Sequence, residues 1–157
     1  MRVSYFLQGG RIFPHLTVEE NFAFAGMGLS KKSFRLRKEE MMSYFDLFKN
    51  AGNGRLNMEA SYLSGGEQHQ LALAMVVIKM PKFLILDEPS AGLSPGNVTK
   101  LYGSLTQIKD KGNISILLIE QNVKMAFEFS NTVLLLREGL IEKETMNFEN
   151  IEEKYFK

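Results

Sequence analysis

The feature that most restricts the possible folds is the apolar run FLIL at residues 83–86, which ends directly in two acidic residues, Asp87 and Glu88. An uninterrupted apolar run is typical of a strand buried on both faces, and such strands belong to parallel sheets that helices cover. Residues 96–112 then have a helical pattern, and residues 113–120 form a second apolar run. This alternation predicts an α/β fold with a parallel sheet.

The rest of the second half continues in short elements. We expect a short helix at residues 123–130 and a closing helix at residues 148–156. Between them, residues 131–144 predict two strands joined at a turn that contains Glu138 and Gly139.

The first half is predicted to be mostly helical after one strand. Residues 3–7 predict the strand, which Gly9 and Gly10 interrupt, and Thr17 with Glu20 matches a capping box at the start of a helix. We expect the charged segment 30–40 to be exposed to solvent. Apolar residues at helical spacing then predict an amphipathic helix that ends near residue 52, formed by Met41, Tyr44, Phe45 and Phe48.

The stretch LSGGEQ, residues 63–68, precedes a second long apolar run. Ser64 and Glu67 again match a capping box, which predicts a helix start. A cap does not explain Gly65 and Gly66, because glycine costs up to about 1 kcal/mol inside a helix. Glycines leave the first turn bare, so its amides and the positive end of the helix dipole can approach an anion. A capped helix and an anion site both remain open from these residues alone.

The two acids also suggest a site. Ligands of open α/β sheets bind beyond the carboxyl ends of the strands, where Asp87 and Glu88 lie. An acid in this place can also cap the following helix. Because neighbouring side chains on a strand point in different directions, one acid can hold a cation and the other can orient a water.

Composition excludes several classes. The chain has 157 residues, 45% of them hydrophobic and 24% charged, with a net charge of +1 and no cysteine. The hydrophobic and charged fractions are typical of a globular domain, and the near-neutral charge argues against a dedicated nucleic-acid surface. The absence of cysteine excludes disulfides and thiolate metal sites. The apolar run 71–78 is shorter than the roughly 20 residues of a membrane helix, and the N-terminus has no signal-peptide core. We therefore expect a cytosolic protein. His15 and His69 have no neighbours that suggest a metal site.

In combination, LSGGEQ and LILDEPSAGLSP (residues 84–95) resemble the signature motif, Walker B motif and D-loop of ABC ATPases. The stretch LQGGRIFPHLTVEENF, residues 7–22, is similar to the Q-loop of that family and the entry to its helical subdomain. More narrowly, GRIFPHLTVEEN, EPSAGLSP, LLIEQN and the tail IEEKYF resemble the ATP-binding subunits of branched-chain amino acid importers.

The resemblance implies an α/β, P-loop NTPase-like ABC ATPase fold, represented by its C-terminal part, with Mg²⁺ and ATP as cofactors. Residues 17–80 would form the helical subdomain with the signature helix, and residues 1–16 and 81–157 the sheet core. The resemblance also implies a second ATP-binding subunit, identical or different, and membrane permease subunits as partners. The chain would then lie in the cytoplasm, at the inner face of the cell membrane.

The resemblance also implies roles for single residues. Gln8 would contact Mg²⁺ and couple the site to the membrane subunits, and Asp87 would hold Mg²⁺. Glu88 would polarise the attacking water. Gln121 stands where many members have a histidine; it can hydrogen-bond the γ-phosphate but cannot act as an acid or base. The γ-phosphate of ATP held by the opposite subunit would bind at the start of the signature helix, at Ser64, Gly65, Gly66 and Glu67.

One expected motif is absent, since no glycine in the sequence is followed by lysine. The G-x-x-x-x-G-K-[ST] loop, which cradles the β- and γ-phosphates, is therefore missing. We expect the chain to correspond to the C-terminal part of an ABC ATPase subunit and to be inactive alone. A gene fragment, a misassigned start and a decayed copy remain open.

Three functions compete at this point. The first is an ATPase subunit that energises import of branched-chain amino acids. The second is a non-catalytic remnant or interaction module that docks on a permease. The third, an ABC ATPase of DNA repair or chromosome structure, is disfavoured by the near-neutral charge and by IFPHLTVEEN.

Overall fold

The computed structural model describes residues 2–49 and 54–142. The chain divides into two compact units, Met1–Ile119 and Glu120–Lys157. Among its described residues, the first unit contains three strands, β1 (Val3–Phe6), β2 (Phe83–Asp87) and β3 (Ser115–Ile119), and five helices, α1 (Val18–Ala25), α2 (Lys31–Tyr44), α3 (Asp46–Lys49), α4 (Gly65–Val77) and α5 (Pro95–Gly112). A 3₁₀ turn at Ala60–Tyr62 precedes α4, and the second unit contains α6 (Val123–Phe129), β4 (Leu135–Arg137) and β5 (Leu140–Glu142).

The sheet of the first unit is parallel throughout, in the order β1–β2–β3. Tyr5 pairs with Ile85, which pairs in turn with Leu117. The predicted α/β fold with a parallel sheet is confirmed. Because β1 and β2 pair residue by residue without a bulge, the carboxyl ends of these two strands lie side by side.

The two faces of this sheet differ in burial. On one face Phe6, Leu84 and Leu86 are fully buried, and α4 packs against β1 and α1. On the other face the outer strands keep large apolar side chains close to half exposed, at Val3, Tyr5, Leu117 and Ile119. One face therefore belongs to the core, while the other presents apolar surface to solvent.

The helical region is held together at its entry by a buried asparagine. The predicted capping box of Thr17 and Glu20 is confirmed. In α1, the amide nitrogen of Asn21 donates to the carbonyl oxygens of Phe13, Leu16 and Thr17 at 2.9, 3.2 and 2.9 Å, and its oxygen accepts from the Phe13 N–H at 2.8 Å. One side chain thus fixes the loop that joins β1 to α1.

The charged segment 30–40 lies at the surface, as expected, and most of it belongs to α2. Ser30 caps α2 by accepting from the N–H of Ser33. The Lys38 ammonium contacts both oxygens of Glu19 on α1, at 2.8 and 2.9 Å. This ion pair therefore connects α2 to α1.

The last turn of α2 contacts α5. The Ser104 hydroxyl donates to the backbone oxygen of Tyr44 at 2.8 Å, and the Tyr44 hydroxyl donates to Glu40 Oε1 at 2.8 Å. Burial, with the hydrogen bond and charge of Glu40, raises the pKa of Tyr44 to about 12. Tyr44 is therefore a neutral donor across the physiological range.

The second unit contains the predicted pair of strands, β4 and β5, which pair antiparallel. Glu138 and Gly139 both have positive φ, 50° and 80°, as a two-residue hairpin turn requires. The predicted loop at 50–54 falls largely, and the predicted helix over 148–156 entirely, outside the described residues. Within the described ranges, no helix is long and apolar enough to span a membrane.

Candidate functional site

The acid pair, Asp87 and Glu88, lies at the end of β2 and meets two side chains of the neighbouring strand end. The Tyr5 hydroxyl donates to Asp87 Oδ2 at 2.7 Å, and Gln8 Nε2 donates to Glu88 Oε2 at 2.8 Å. The structure thus brings together three residues predicted for the site, Gln8 and both acids. Tyr5 was not among the residues predicted for the site.

In the contact between Tyr5 and Asp87, the proton stays on the Tyr5 hydroxyl. The hydrogen bond to Asp87, together with burial and the charge of that carboxylate, raises the pKa of the Tyr5 hydroxyl above its usual value. Tyr5 is therefore a protonated donor near neutral pH, and it occupies only one carboxylate oxygen of Asp87.

Glu88 leaves the strand in a left-handed backbone conformation, with φ of 44°. This conformation is uncommon for residues other than glycine, and it recurs at functional sites where the surroundings enforce it. The Glu88 N–H donates to the oxygen of Ile119 at the end of β3, at 2.9 Å. The two acids consequently have different partners.

The start of α4 is a capped helix. Ser64 and Glu67 form the predicted capping box, and Glu67 Oε2 accepts from the N–H and hydroxyl of Ser64 at 2.9 and 2.8 Å. Arg55 forms an ion pair with the same carboxylate. Burial alone would raise the pKa of Glu67, but the bonds from Ser64 and the contacts with Arg55 outweigh burial and hold this pKa below its usual range.

The two glycines of this helix start have different surroundings. A Cβ at Gly65 would meet open space, whereas a Cβ at Gly66 would lie 2.4 Å from Nδ2 of Asn97 on α5. A side chain at position 66 would therefore have to push the amide end of Asn97 aside, an effect that could not be predicted from the sequence. Gly65 remains bare and exposed, as an anion site needs.

Three glycine-containing segments surround a cavity of about 480 Å³. They are the turn after β1, the first turns of α4 and the loop leading into α5, which contribute Gly9, Gly10, Ile12, Gly65, Gly66, Gln68, His69, Ala91, Gly92, Leu93, Ser94 and Asn97. None of these side chains is an acid, a lysine or an arginine, and α4 and α5 both begin here. Two helix N-termini with no opposing carboxylate in the lining favour an anion.

The remaining predicted residue belongs to the second unit. Gln121 is exposed and lies next to Asn122, which caps α6 by accepting from the N–H of Met125.

The acid pair and Gln8 also suit a magnesium ion. Mg²⁺ prefers carboxylate and amide oxygens and binds through one or two carboxylates together with phosphates and waters. Asp87 keeps a carboxylate oxygen outside its bond to Tyr5, and Gln8 uses its nitrogen rather than its oxygen toward Glu88. Among the residues described, no group of three or more His, Cys, Asp or Glu side chains could hold a metal alone. An ion at this donor set would take its remaining ligands from waters or phosphates.

His69 is a second residue that sequence reasoning missed. It is 5% exposed, and its ring centroid lies 5.1 Å from that of Phe6 on β1. Burial lowers the pKa of His69, and a hydrogen bond with the backbone of Pro89 partly opposes that effect. No short-range pattern predicts this contact, because Pro89 is twenty positions away.

A family model described as ABC transporter matches residues 1–91. The chain belongs to this family, as part of an ATP-binding domain. Two solved structures support the fold. The structure of an ATP-binding subunit of an ABC transporter has a TM-score of 0.75 and 23% identity, and the match covers 99% of this chain and 62% of that one. A dimeric ATP-binding cassette with bound ADP and Pi has a TM-score of 0.69 and 21% identity, and the match covers 90% of this chain and 61% of that one.

Curated relatives include branched-chain amino acid transport ATP-binding proteins. BraG of Pseudomonas aeruginosa is 33% identical over 134 residues, which cover 85% of this chain and 55% of the relative. A probable LivF of Archaeoglobus fulgidus is 32% identical over 88% of this chain and 57% of its own length. A thiamine import ATP-binding protein, ThiQ of a Ruegeria species, is 31% identical over 87% and 58%. The chain spans little more than half the length of these relatives.

Proposed function

We propose that this chain acts as part of the ATP-binding, ATP-hydrolysing subunit of an ABC importer for branched-chain amino acids. The observation that carries the proposal is the pairing of Asp87 and Glu88 with Tyr5 and Gln8 at two adjacent strand ends. This arrangement holds two carboxylates in different directions, one suited to a cation and one to a water. Branched-chain amino acids are proposed as the cargo because two curated relatives are named as their transport ATP-binding proteins. A third relative, named as a thiamine import protein, has a similar sequence and a different cargo.

Asp87, with Gln8, would hold Mg²⁺, which supplies charge neutralisation at the phosphates when bound. Glu88 would accept a hydrogen bond from the attacking water and orient it. In a dimer, the γ-phosphate held by one subunit would meet the helix start of the other, at Ser64, Gly65 and Gly66. Glu67 would hold that turn in shape through its bonds to Ser64. Gln121 would donate a hydrogen bond to the γ-phosphate.

The proposed partners are a second ATP-binding subunit and the permease subunits, at the cytoplasmic face of the cell membrane. A non-catalytic module that docks on a permease is the second candidate. Residues 1–157 include no G-x-x-x-x-G-K-[ST] loop, so by themselves they lack a main electrostatic anchor for a nucleotide.

Turnover in a completed subunit tests the proposal. The chain is joined to an N-terminal segment that carries a G-x-x-x-x-G-K-[ST] loop, and ATP hydrolysis is measured with and without Mg²⁺. We expect Mg²⁺-dependent hydrolysis that falls by a factor of about 10²–10⁴ in Glu88→Gln, because the water loses its positioned base. Glu128→Gln, an exposed change on α6, is the control. Equal turnover in Glu88→Gln and the parent would contradict the assignment of Glu88.

A further inference from the structure

His69 lies where three segments of the site meet. It belongs to the second turn of α4, its ring packs on Phe6 of β1, and it is hydrogen-bonded to the backbone of Pro89, directly after the acid pair. Only 5% of its surface is exposed. Its contacts therefore join the helix start, the strand before Gln8 and the loop after Glu88.

The chemistry of the contact fixes the donor. Proline has no N–H, so its backbone group can only be the carbonyl, and the His69 ring must donate. Nε2 is buried and has no hydrogen-bond partner within the described part of the chain. Nδ1–H is consequently the donor, and Nε2 carries the lone pair of a neutral ring.

The peptide that His69 holds follows a strained residue. Glu88 has φ of 44°, a conformation that is unfavourable for an L-residue unless its neighbours enforce it. On the strand side, the Glu88 N–H is bonded to Ile119. On the other side, the bond from His69 to Pro89 is the contact that anchors the next peptide to α4.

We propose that His69 is a positioning residue for Glu88. By fixing the Pro89 carbonyl against α4, it maintains the left-handed backbone at Glu88 and keeps the carboxylate directed at Gln8. The use of Glu88 in hydrolysis rests on the proposed function, whereas the positioning is a property of the chain without nucleotide.

Two substitutions separate the hydrogen bond from simple packing. His69→Leu fills much of the buried volume but removes the donor. His69→Gln keeps an N–H donor on a side chain of similar reach. A packing role predicts that leucine does at least as well as glutamine, whereas a positioning role predicts that only glutamine preserves the geometry after Glu88.

Amide hydrogen exchange and the side-chain amide resonances of the completed subunit, without nucleotide, provide the test. The Ala91 N–H reports on the acid loop because it donates to the Glu88 oxygen at 3.1 Å, and the Ile78 N–H, bonded to Ala74 at 2.9 Å, reports on the far end of α4. In His69→Leu we expect exchange at Ala91 about tenfold faster with Ile78 unchanged, and a shifted Gln8 side-chain amide. His69→Gln should stay close to wild type in both.

Unchanged exchange at Ala91 in the leucine variant, or equal acceleration in both variants, would overturn the proposal. The ring ¹⁵N spectrum of the completed subunit with wild-type His69 gives an independent result if the leucine variant does not fold: a proton on Nδ1 supports the proposal, and a proton on Nε2 overturns it. Since no step needs ATP, a failure of this proposal is distinct from a failure of the proposed hydrolysis.

Discussion

At the scale of single residues, the two glycines at the start of α4 have different physical reasons. Gly66 leaves room for Asn97, whereas Gly65 faces open space. We expect Gly66→Ala to lower the free energy of unfolding by up to about 1 kcal/mol, because the new Cβ pushes the amide end of Asn97 aside. Gly65→Ala should leave stability unchanged or raise it by up to about 1 kcal/mol. Urea unfolding of the matched pair measures both effects, and equal losses would contradict this account of the helix start.

A second residue-scale prediction concerns acid stability. Burial lowers the pKa of His69 below its usual value. As the pH falls, the unfolded chain therefore binds a proton at His69 more readily than the folded chain does. The contribution of neutral His69 to the free energy of unfolding is fully present above a pH of about 6.5 and is lost as the pH falls through the pKa of the folded state.

Urea unfolding at pH 7.5 and 5.5 measures this loss, which cannot exceed about 1.4 kcal/mol per pH unit for one proton. His69→Gln should remove part of the pH dependence in this interval. The control is His15→Gln, since the His15 side chain is 90% exposed. A pH dependence that persists in full in His69→Gln would contradict the prediction.

At the scale of elements, the entry to α1 depends on Asn21, which makes four hydrogen bonds to backbone groups and is fully buried. We expect Asn21→Ala to lower the free energy of unfolding by about 2–4 kcal/mol, because it leaves several backbone groups of the loop unsatisfied. Ser43→Ala, which removes one exposed hydroxyl contact on α2, should cost less than about 0.5 kcal/mol. Similar losses in both variants would show that the loop does not need this side chain.

Elements with local causes could be predicted from the sequence. The capping boxes at Thr17 and Ser64 and the apolar run of β2 each arise within a few residues, so periodicity and capping rules found them. The roles of Gly66 and His69 depend on Asn97 and Pro89, which are distant in sequence. Tyr5 was missed for the same reason, because its partner lies on the neighbouring strand and only the register brings the two together.

At the scale of the whole molecule, the sheet of the first unit leaves apolar side chains on one face exposed at Val3, Tyr5, Leu117 and Ile119. Contiguous apolar surface promotes association. We expect the 157-residue chain alone to bind a hydrophobic dye and to form soluble aggregates at micromolar concentration, as light scattering measures. Val3→Lys, on the edge strand, should reduce both signals. A monodisperse monomer with a sharp thermal transition would contradict this expectation.

The central claim is that the bare start of α4 binds the phosphate held by a second subunit, while Glu88 acts on the water. Gel filtration with ATP tests it in two variants of the completed subunit. Glu88→Gln should elute as an ATP-bound dimer, because both phosphate contacts remain while the water loses its base. Gly65→Asp should bind ATP and stay monomeric, because a carboxylate at the helix start repels the γ-phosphate. If Gly65→Asp forms dimers with ATP as well as Glu88→Gln does, α4 is only a capped helix and the claim is wrong.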